Sequence, residues 1–241
     1  METAANVCAA GRAIVAVALE LTGIRFAYGA DGFELVLPSL TIEAGESVAL
    51  VGPSGSGKTT LLSLIAGVLE PVQGSIQLEG KVLTAMAARQ RRGQRLAGMG
   101  MIFQSFELLD YLDVRDNILL QARLAPDVSI TAELEHRART IANELGLEDK
   151  WRRRVTALSQ GERQRVAACR ALLLDPPIVL ADEPTGNLDP QNKQAVLDHL
   201  IALCHRDRRI LLTVTHDHSL LPSFDRVLDM GELLGSEAAT A

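Results

Sequence analysis

Three stretches of the chain are apolar at nearly every position: Ser47–Val51, 178–181 and 210–215. Short continuous runs rich in Val, Ile and Leu suit strands buried on both faces, as in a parallel sheet. Residues 17–28 behave differently. Ile24, Phe26 and Tyr28 fall on one side of a partial alternation, which predicts a half-buried strand. Apolar positions return at helical spacing over 59–66, 131–145, 161–174 and 191–204. Strands alternating with helices predict an α/β fold built on a parallel sheet. The stretch from about 104 to 174 has no comparable strand run. It is helical in pattern and charged, with Trp151-Arg152-Arg153-Arg154 near its end. It is too long for one crossover, so it reads as a helical subdomain inserted into a core formed by about 16–103 and 175–241. Residues 1–15 are expected to be a poorly ordered tail, with an extra helical turn packed on the domain as the other reading.

Composition narrows the class. The 241 residues suffice for one large core, or a core plus a subdomain. Hydrophobic content of 47% against 22% charged is an ordinary globular balance. The net charge of −6 argues against a nucleic-acid partner, which usually calls for a basic footprint. It does not exclude an anion site in a single loop. Cys8, Cys169 and Cys204 are odd in number, widely spaced and without a CxxC pair, unlike a disulfide framework or a zinc site. A reducing, cytosolic setting is the expectation. The apolar stretch 13–19 closes at Glu20, well short of the roughly 20 residues a membrane helix needs. The N-terminus lacks the basic start and small-residue cleavage site of a signal peptide.

The first apolar run is followed by Gly52-Pro53-Ser54-Gly55-Ser56-Gly57-Lys58-Thr59, which fits G-x-x-x-x-G-K-[ST] in its required place between a strand and a helix. Glycines let successive N–H groups point into one concavity, and the helix N-terminus behind it favours an anion. Lys58 adds a mobile positive charge for the β- and γ-phosphates of a nucleotide. Thr59 offers a hydroxyl to Mg²⁺, an ion that binds through few protein oxygens. Thr60, one place further on, is in reach of another phosphate. The pattern says nucleotide binding and leaves the use of the energy open.

The other two continuous runs end in chemistry as well. One closes on Asp182-Glu183-Pro184, where an Asp can hold Mg²⁺ and the next carboxylate can orient or deprotonate a water. The other closes on His216; with His218 it makes an H-x-H without a third ligand, which does not amount to a metal site. Singly, each has a bland reading as a turn or an edge residue. Together, Gly52, Asp182 and His216 each follow a buried run, and parallel strands deliver their C-termini to one edge, where open α/β folds bind ligands. Ser159 with Glu162 forms a capping-box pattern at a helix start. The same hydroxyl, glycine backbone and helix end also make a second phosphate-binding surface. Nothing places it beside Lys58 within one chain; a second copy would bring it there.

The order and spacing of these motifs, from residue 17 to about 234, resemble the nucleotide-binding domain of ABC transporters. The resemblance implies a P-loop core with a mainly parallel sheet, an antiparallel N-terminal β-subdomain and the inserted helical subdomain. It implies that Tyr28 stacks on adenine, a strand-core aromatic being the alternative. Gln104, in "MGMIFQSFELL", is similar to the family glutamine that contacts Mg²⁺ and faces the membrane partner. "LSQGERQR" resembles the signature that places Ser159, Gly161 and Glu162 against a nucleotide. "VLADEPTGNLD" supplies the magnesium-binding Asp182, the catalytic Glu183 and a loop ending in Asp189, a residue also suited to cap the next helix ahead of Pro190. His216 resembles the switch histidine near the γ-phosphate. Two departures stand out: Gln160 replaces the first signature glycine, and "RRRVTALSQ" lacks the usual proline before it.

The resemblance implies a Mg²⁺-dependent ATPase at the cytoplasmic face of the cell membrane. Two copies would sandwich two ATP molecules and drive a separate transmembrane permease. "EPTGNLD" and "FQSFELL" look most like the group serving lipoprotein release, macrolide or peptide export, and cell division. Export or extraction of a lipoprotein, lipid, peptide or drug is the leading expectation. A non-transporting mechanical or regulatory ATPase of an envelope complex is the alternative.

Overall fold

The computed structural model describes residues 17–29, 32–188 and 190–234. The tail expected at 1–15, with Cys8, lies outside the described residues, and so does Asp189. Two sheets carry the structure. The first is antiparallel, in the order β2 (Glu34–Glu43), β1 (Val17–Ala27), β4 (Gln73–Leu78), β5 (Lys81–Val82). The second is parallel throughout, in the order β6 (Met99–Ile102), β7 (Ile178–Asp182), β8 (Ile210–Val214), β3 (Ser47–Val51), β9 (Arg226–Asp229). The α/β architecture expected from the sequence, with antiparallel strands first and a mainly parallel core, is the one observed.

The continuous apolar runs are the inner strands of the parallel sheet. Every residue of β3 and β8 is buried. Their alternation sorts side chains into two cores. Val48, Leu50, Leu180 and Leu212 face the antiparallel sheet and helix α1 (Lys58–Ile65). Ala49, Val179, Ala181 and Leu211 face the opposite layer. That layer holds α3 (Val114–Leu124), α4 (Ala132–Glu144), α5 (Gln160–Leu172) and α6 (Pro190–Arg206). Burial on both faces explains why these strands carry no polar alternation.

In β1 the buried set changes phase, from Leu19 and Leu21 to Ile24 and Phe26. Gly23, at φ 59°, sits at the break. Against β4 the register of β1 shifts between Thr22 and Arg25, whereas against β2 it runs on unchanged, Thr22 facing Ser39 and Ile24 facing Leu37, and β2 changes phase in step between Leu37 and Leu40. A bulge of this kind keeps both apolar sets on the core side. Tyr28 departs from the expected pattern. It lies past the end of β1 and is 50% exposed, although its ring meets Phe26 edge-on at 4.7 Å. It is therefore not a core aromatic.

Several elements, β6, β9 and one helix among them, were not anticipated by the pattern. β6 and β9 are four-residue strands at the two edges of the parallel sheet. α2 (Ala88–Gly98) buries none of its residues and is strongly basic, so it has no apolar stripe to betray it. Between β6 and β7, α5 packs directly on the sheet: a side chain on Gly100 would run into the Ala171 carbonyl at 2.5 Å. Trp151 is buried, with the Arg139 guanidinium 5.5 Å from its ring centre. Cys169 and Cys204 are free thiols in the core, the latter pushed up to about 12 by burial. Among the described residues no helix is long and apolar enough to cross a membrane.

Asp175, at the turn from α5 into β7, ties the helical layer to the sheet. Its carboxylate accepts from buried Arg209 at 2.5 Å and from Arg137 of α4 at 2.9 Å. The Arg209 hydrogen bond holds it below the ordinary carboxylate range, with Arg137 assisting. A carboxyl whose pKa is lower in the folded chain stabilises above its unfolded pKa and loses that stabilisation as pH falls through the folded one. Asp175 also has φ 57°, a conformation Asn tolerates. Asp175→Asn is expected to lower stability at pH 7 by about 1 kcal/mol, small because the carboxylate is well exposed and Arg209 keeps Asp207. In urea titrations the gap between the variant and the natural chain should close once pH falls below the carboxylate range. A gap unchanged at low pH would show that charge is not its source.

Candidate active site

The sheet order decides where the chemistry gathers. β6, β7, β8 and β3 are consecutive neighbours and point the same way. Gln104 lies two residues beyond β6, Asp182 ends β7 with Glu183 next, His216 lies two beyond β8, and Gly52 follows β3 directly. Neighbouring strands are about 4.8 Å apart, so four adjacent strand ends span about 14 Å, the scale of a triphosphate with its surroundings.

The loop after β3 forms a cradle. Gly52, Gly55 and Gly57 have φ of 146°, 80° and 94°. Gly57 is the N-cap of α1 in a left-handed conformation, and no side chain caps the helix. The first-turn N–H groups of α1 are left for a ligand. Gly57 is also constrained by space, since a Cβ there would lie 2.5 Å from the Phe33 ring. Pro53, Ser54 and Gly55 form the exposed crest. Ser56 Oγ is buried and lacks a hydrogen-bond partner. Lys58 folds back over the loop, its Nζ donating to the Gly52 carbonyl at 2.8 Å and to the Pro53 carbonyl at 2.9 Å. Those carbonyls hold the ammonium where phosphate oxygens would replace them.

Thr59 Oγ1 donates to Asp182 Oδ2 at 3.1 Å, joining the loop to the end of β7. Burial pushes the Asp182 carboxyl above its usual range; the Thr59 hydrogen bond opposes the rise, adjacent Glu183 adds to it, and Lys58 opposes it. A carboxylate short of solvation beside a hydroxyl is a fitting oxygen pair for a small hard cation. Among the described residues no group of three or more His, Cys, Asp or Glu is arranged to hold a metal. A cation at this place would take two protein oxygens and fill its shell from substrate and water.

Glu183 has φ 50°, a left-handed backbone that a non-glycine residue keeps only under constraint. Its N–H donates to the Val214 carbonyl at 3.0 Å, and its carbonyl accepts from Gly186 at 3.1 Å. The carboxylate projects to His216 and contacts its Nδ1. Gln104 completes the row: its Nε2 packs over Gly186, and its carbonyl accepts from Asn187 Nδ2 at 2.7 Å. Thr60 is buried in α1, and its hydroxyl lies 3.4 Å from that of Tyr28, which puts the tyrosine beside the cradle.

The signature residues stand apart. Ser159 caps α5 and Glu162 reciprocates: Ser159 Oγ accepts from Glu162 N–H at 3.2 Å, and Glu162 accepts from Ser159 N–H at 2.8 Å. That backbone bond keeps the Glu162 carboxyl below its ordinary range. Gly161 lies near Leu188, in the loop after Glu183, but Ser159 and Glu162 make no hydrogen bond to the strand-end group. Gln160 occupies the exposed first position of α5, where an extended side chain is a better helix former than glycine. Asn187 was not singled out by the sequence, although it stands in the same "GNLD" turn as Asp189.

A cavity of about 490 Å³ lies elsewhere. Mutually paired charges line it, including Arg137, Asp175, Asp207 and Arg209.

The ABC transporter family profile matches residues 37–186. The lipoprotein-releasing system ATP-binding protein LolD of Psychrobacter arcticus is 43% identical over 189 residues, covering 78% of this chain and 83% of that protein. LolD of Anaplasma marginale is 40% identical, covering 88% and 95%. Among solved structures, the dimeric cassette MJ0796, a bacterial ABC transporter cassette, superposes with a TM-score of 0.75 at 28% identity, covering 88% of this chain and 95% of that one. A second MJ0796 dimer, in a post-hydrolysis state bound to ADP and Pi, gives the same score. With its cradle, strand-end carboxylates and capped signature helix in the family order, the chain belongs to the ABC transporter family, as an ATP-hydrolysing subunit.

Proposed function

We propose that two copies of this chain close head to tail over two ATP molecules and power a separate membrane subunit that extracts lipoproteins from the cell membrane. The convergence of four adjacent strand ends on one edge carries the reading. Lys58 and the N–H groups of the cradle bind the β- and γ-phosphates, and Lys58 stabilises charge that develops on them. Tyr28, exposed beside Thr60, stacks on the adenine. Thr59, Asp182 and Gln104 would hold Mg²⁺; when bound, this ion would neutralise phosphate charge. Glu183 orients the attacking water and takes its proton. His216 holds the Glu183 carboxylate until a γ-phosphate arrives to share the imidazole. Asp189 contributes at the boundary between copies.

The site is open to solvent at its crest, and the signature residues lie outside it, so one chain supplies half of each nucleotide's surroundings. Ser159, Gly161 and Glu162 of a second copy supply the rest. The dimeric MJ0796 cassettes support this arrangement. The γ-phosphate then joins two chains and hydrolysis removes the joint, a population shift driven by preferential binding to the closed state.

The membrane subunit docks beside the Gln104 loop. A groove of about 200 Å³ lies there, with Leu96, Met99, Met101, Phe103, Leu120 and Leu124 among its lining residues. Its apolar walls suit a short helix of the partner, and docking sets this chain on the cytoplasmic face of the membrane. Lipoprotein as cargo rests on the LolD relatives.

Lys58→Ala should weaken ATP binding by about 10–100-fold in equilibrium titration, the worth of charge-assisted hydrogen bonds; unchanged affinity would refute its contact. Glu183→Gln should retain ATP affinity while hydrolysis falls by about 10²–10⁴-fold. With saturating Mg-ATP this variant should elute as a dimer in light-scattering chromatography; a persistent monomer would contradict the clamp. Reconstituted with its membrane partner, the natural chain should release lipoprotein from proteoliposomes only with hydrolysable ATP. Release without ATP, or no release despite coupled hydrolysis, would reject the cargo.

A further inference from the structure

The loop after β6 is held at three points. Asn187 takes the Gln104 carbonyl. Buried Asn117 of α3 donates to the Leu109 carbonyl and accepts from the Leu109 N–H. Between them, Arg170 of α5 donates through Nη2 to the Phe106 carbonyl at 2.7 Å and through Nη1 to the Glu107 carbonyl. Of the three anchors, only Arg170 stands on the helix that Ser159 caps.

Three observations separate this contact from ordinary packing. Arg170 is only 7% exposed, and burial lowers its pKa against the opposing effect of Glu107. Among the described residues it forms no ion pair, so two backbone carbonyls compensate a desolvated guanidinium. Phe106 and Glu107 have φ of 64° and 48°, successive left-handed residues that are not glycine. Such backbone persists where its surroundings over-determine it, and it collects at functional loops. The fork of one guanidinium matches two consecutive carbonyls, which a lysine ammonium does not reproduce. The turn it fixes begins two residues after Gln104, and Arg170 follows Ser159 by 11 positions, about 16 Å along a rigid helix.

We propose that Arg170 is a positioning residue that couples Gln104 to α5, so the glutamine amide reaches its place in the nucleotide site only when the signature helix is set. This rests on the role proposed above for Gln104. Seating of Ser159 against the opposite nucleotide and seating of Gln104 in its own site become one event. Hydrolysis is thereby conditional on closure. Arg170 also lines the groove assigned to the membrane partner, so displacement of the loop from that side is transmitted through the same two hydrogen bonds.

A double-mutant cycle on the full chain tests this, with steady-state Mg-ATP hydrolysis and thermal unfolding measured for each variant. Arg170→Met should lower kcat about tenfold or more with KM changed less than about twofold, the signature of lost transition-state positioning. Arg170→Lys, which keeps the charge, should fall between the two. Adding Arg170→Met to Gln104→Ala should cause no further loss, since both changes remove one contribution. Losses that multiply in the double variant would mean a merely structural role and overturn the proposal, as would wild-type kcat in Arg170→Met. If Gln104→Ala retains full kcat while Arg170→Met does not, the coupling is overturned and the role given to Gln104 fails with it. Should Arg170→Met fail to fold, Arg170→Lys carries the same cycle and is judged by the same rule.

Discussion

Everything in this chain depends on four parallel strands ending side by side. β6, β7, β8 and β3 are paired in register, so residues far apart in sequence emerge at one edge as neighbours. The strands are apolar because both faces are covered, one by the antiparallel sheet and α1, the other by helices. That burial makes the edge rigid. Polar groups placed there have their positions set by the core, which is the condition for electrostatic preorganisation.

The polar groups at the edge are held by provisional partners. Lys58 rests on two loop carbonyls, Thr59 on Asp182, and Glu183 on His216. Each pairing gives a partner to a partly buried charge, that of Lys58, Asp182 or Glu183. Each is also one that a triphosphate and its cation can replace with a stronger partner. Ser56 Oγ and the uncapped start of α1 have not even a provisional partner. The site is thus chemically incomplete along the direction a nucleotide would occupy, and in the proposed clamp the rest of its wall comes from a second copy.

Much of this was legible in the sequence because two-sided burial leaves a plain mark. β3, β7 and β8 appear as nearly continuous apolar runs, and the residue after each run is one of the candidate site residues. The edge strands are not legible. β6 is four residues long and includes a glycine demanded by the Ala171 carbonyl, while β9 has no fully buried position. α2 buries none of its residues and so writes no apolar period. Alternation grouped Tyr28 with Ile24 and Phe26, because the pattern alone does not show that the strand ends at Ala27. Asn187 and Arg170 were hidden for a different reason. They act on backbone carbonyls, whose positions come from the fold and not from any pattern of side chains. Ser159 shows the opposite limit: its motif is plain, yet one chain gives it only the role of a helix cap.

The central claim is that the cradle of one chain and the signature of another meet across a single ATP. Ser54 and Ser159 are both exposed, which allows a direct test. In a Cys8→Ser, Glu183→Gln background, Ser54→Cys and Ser159→Cys together should form an interchain cross-link with a short thiol reagent when Mg-ATP is present and little with ADP. Either cysteine alone should give none. Equal cross-linking with and without ATP, or none in either state from a folded chain that binds ATP, would contradict the account.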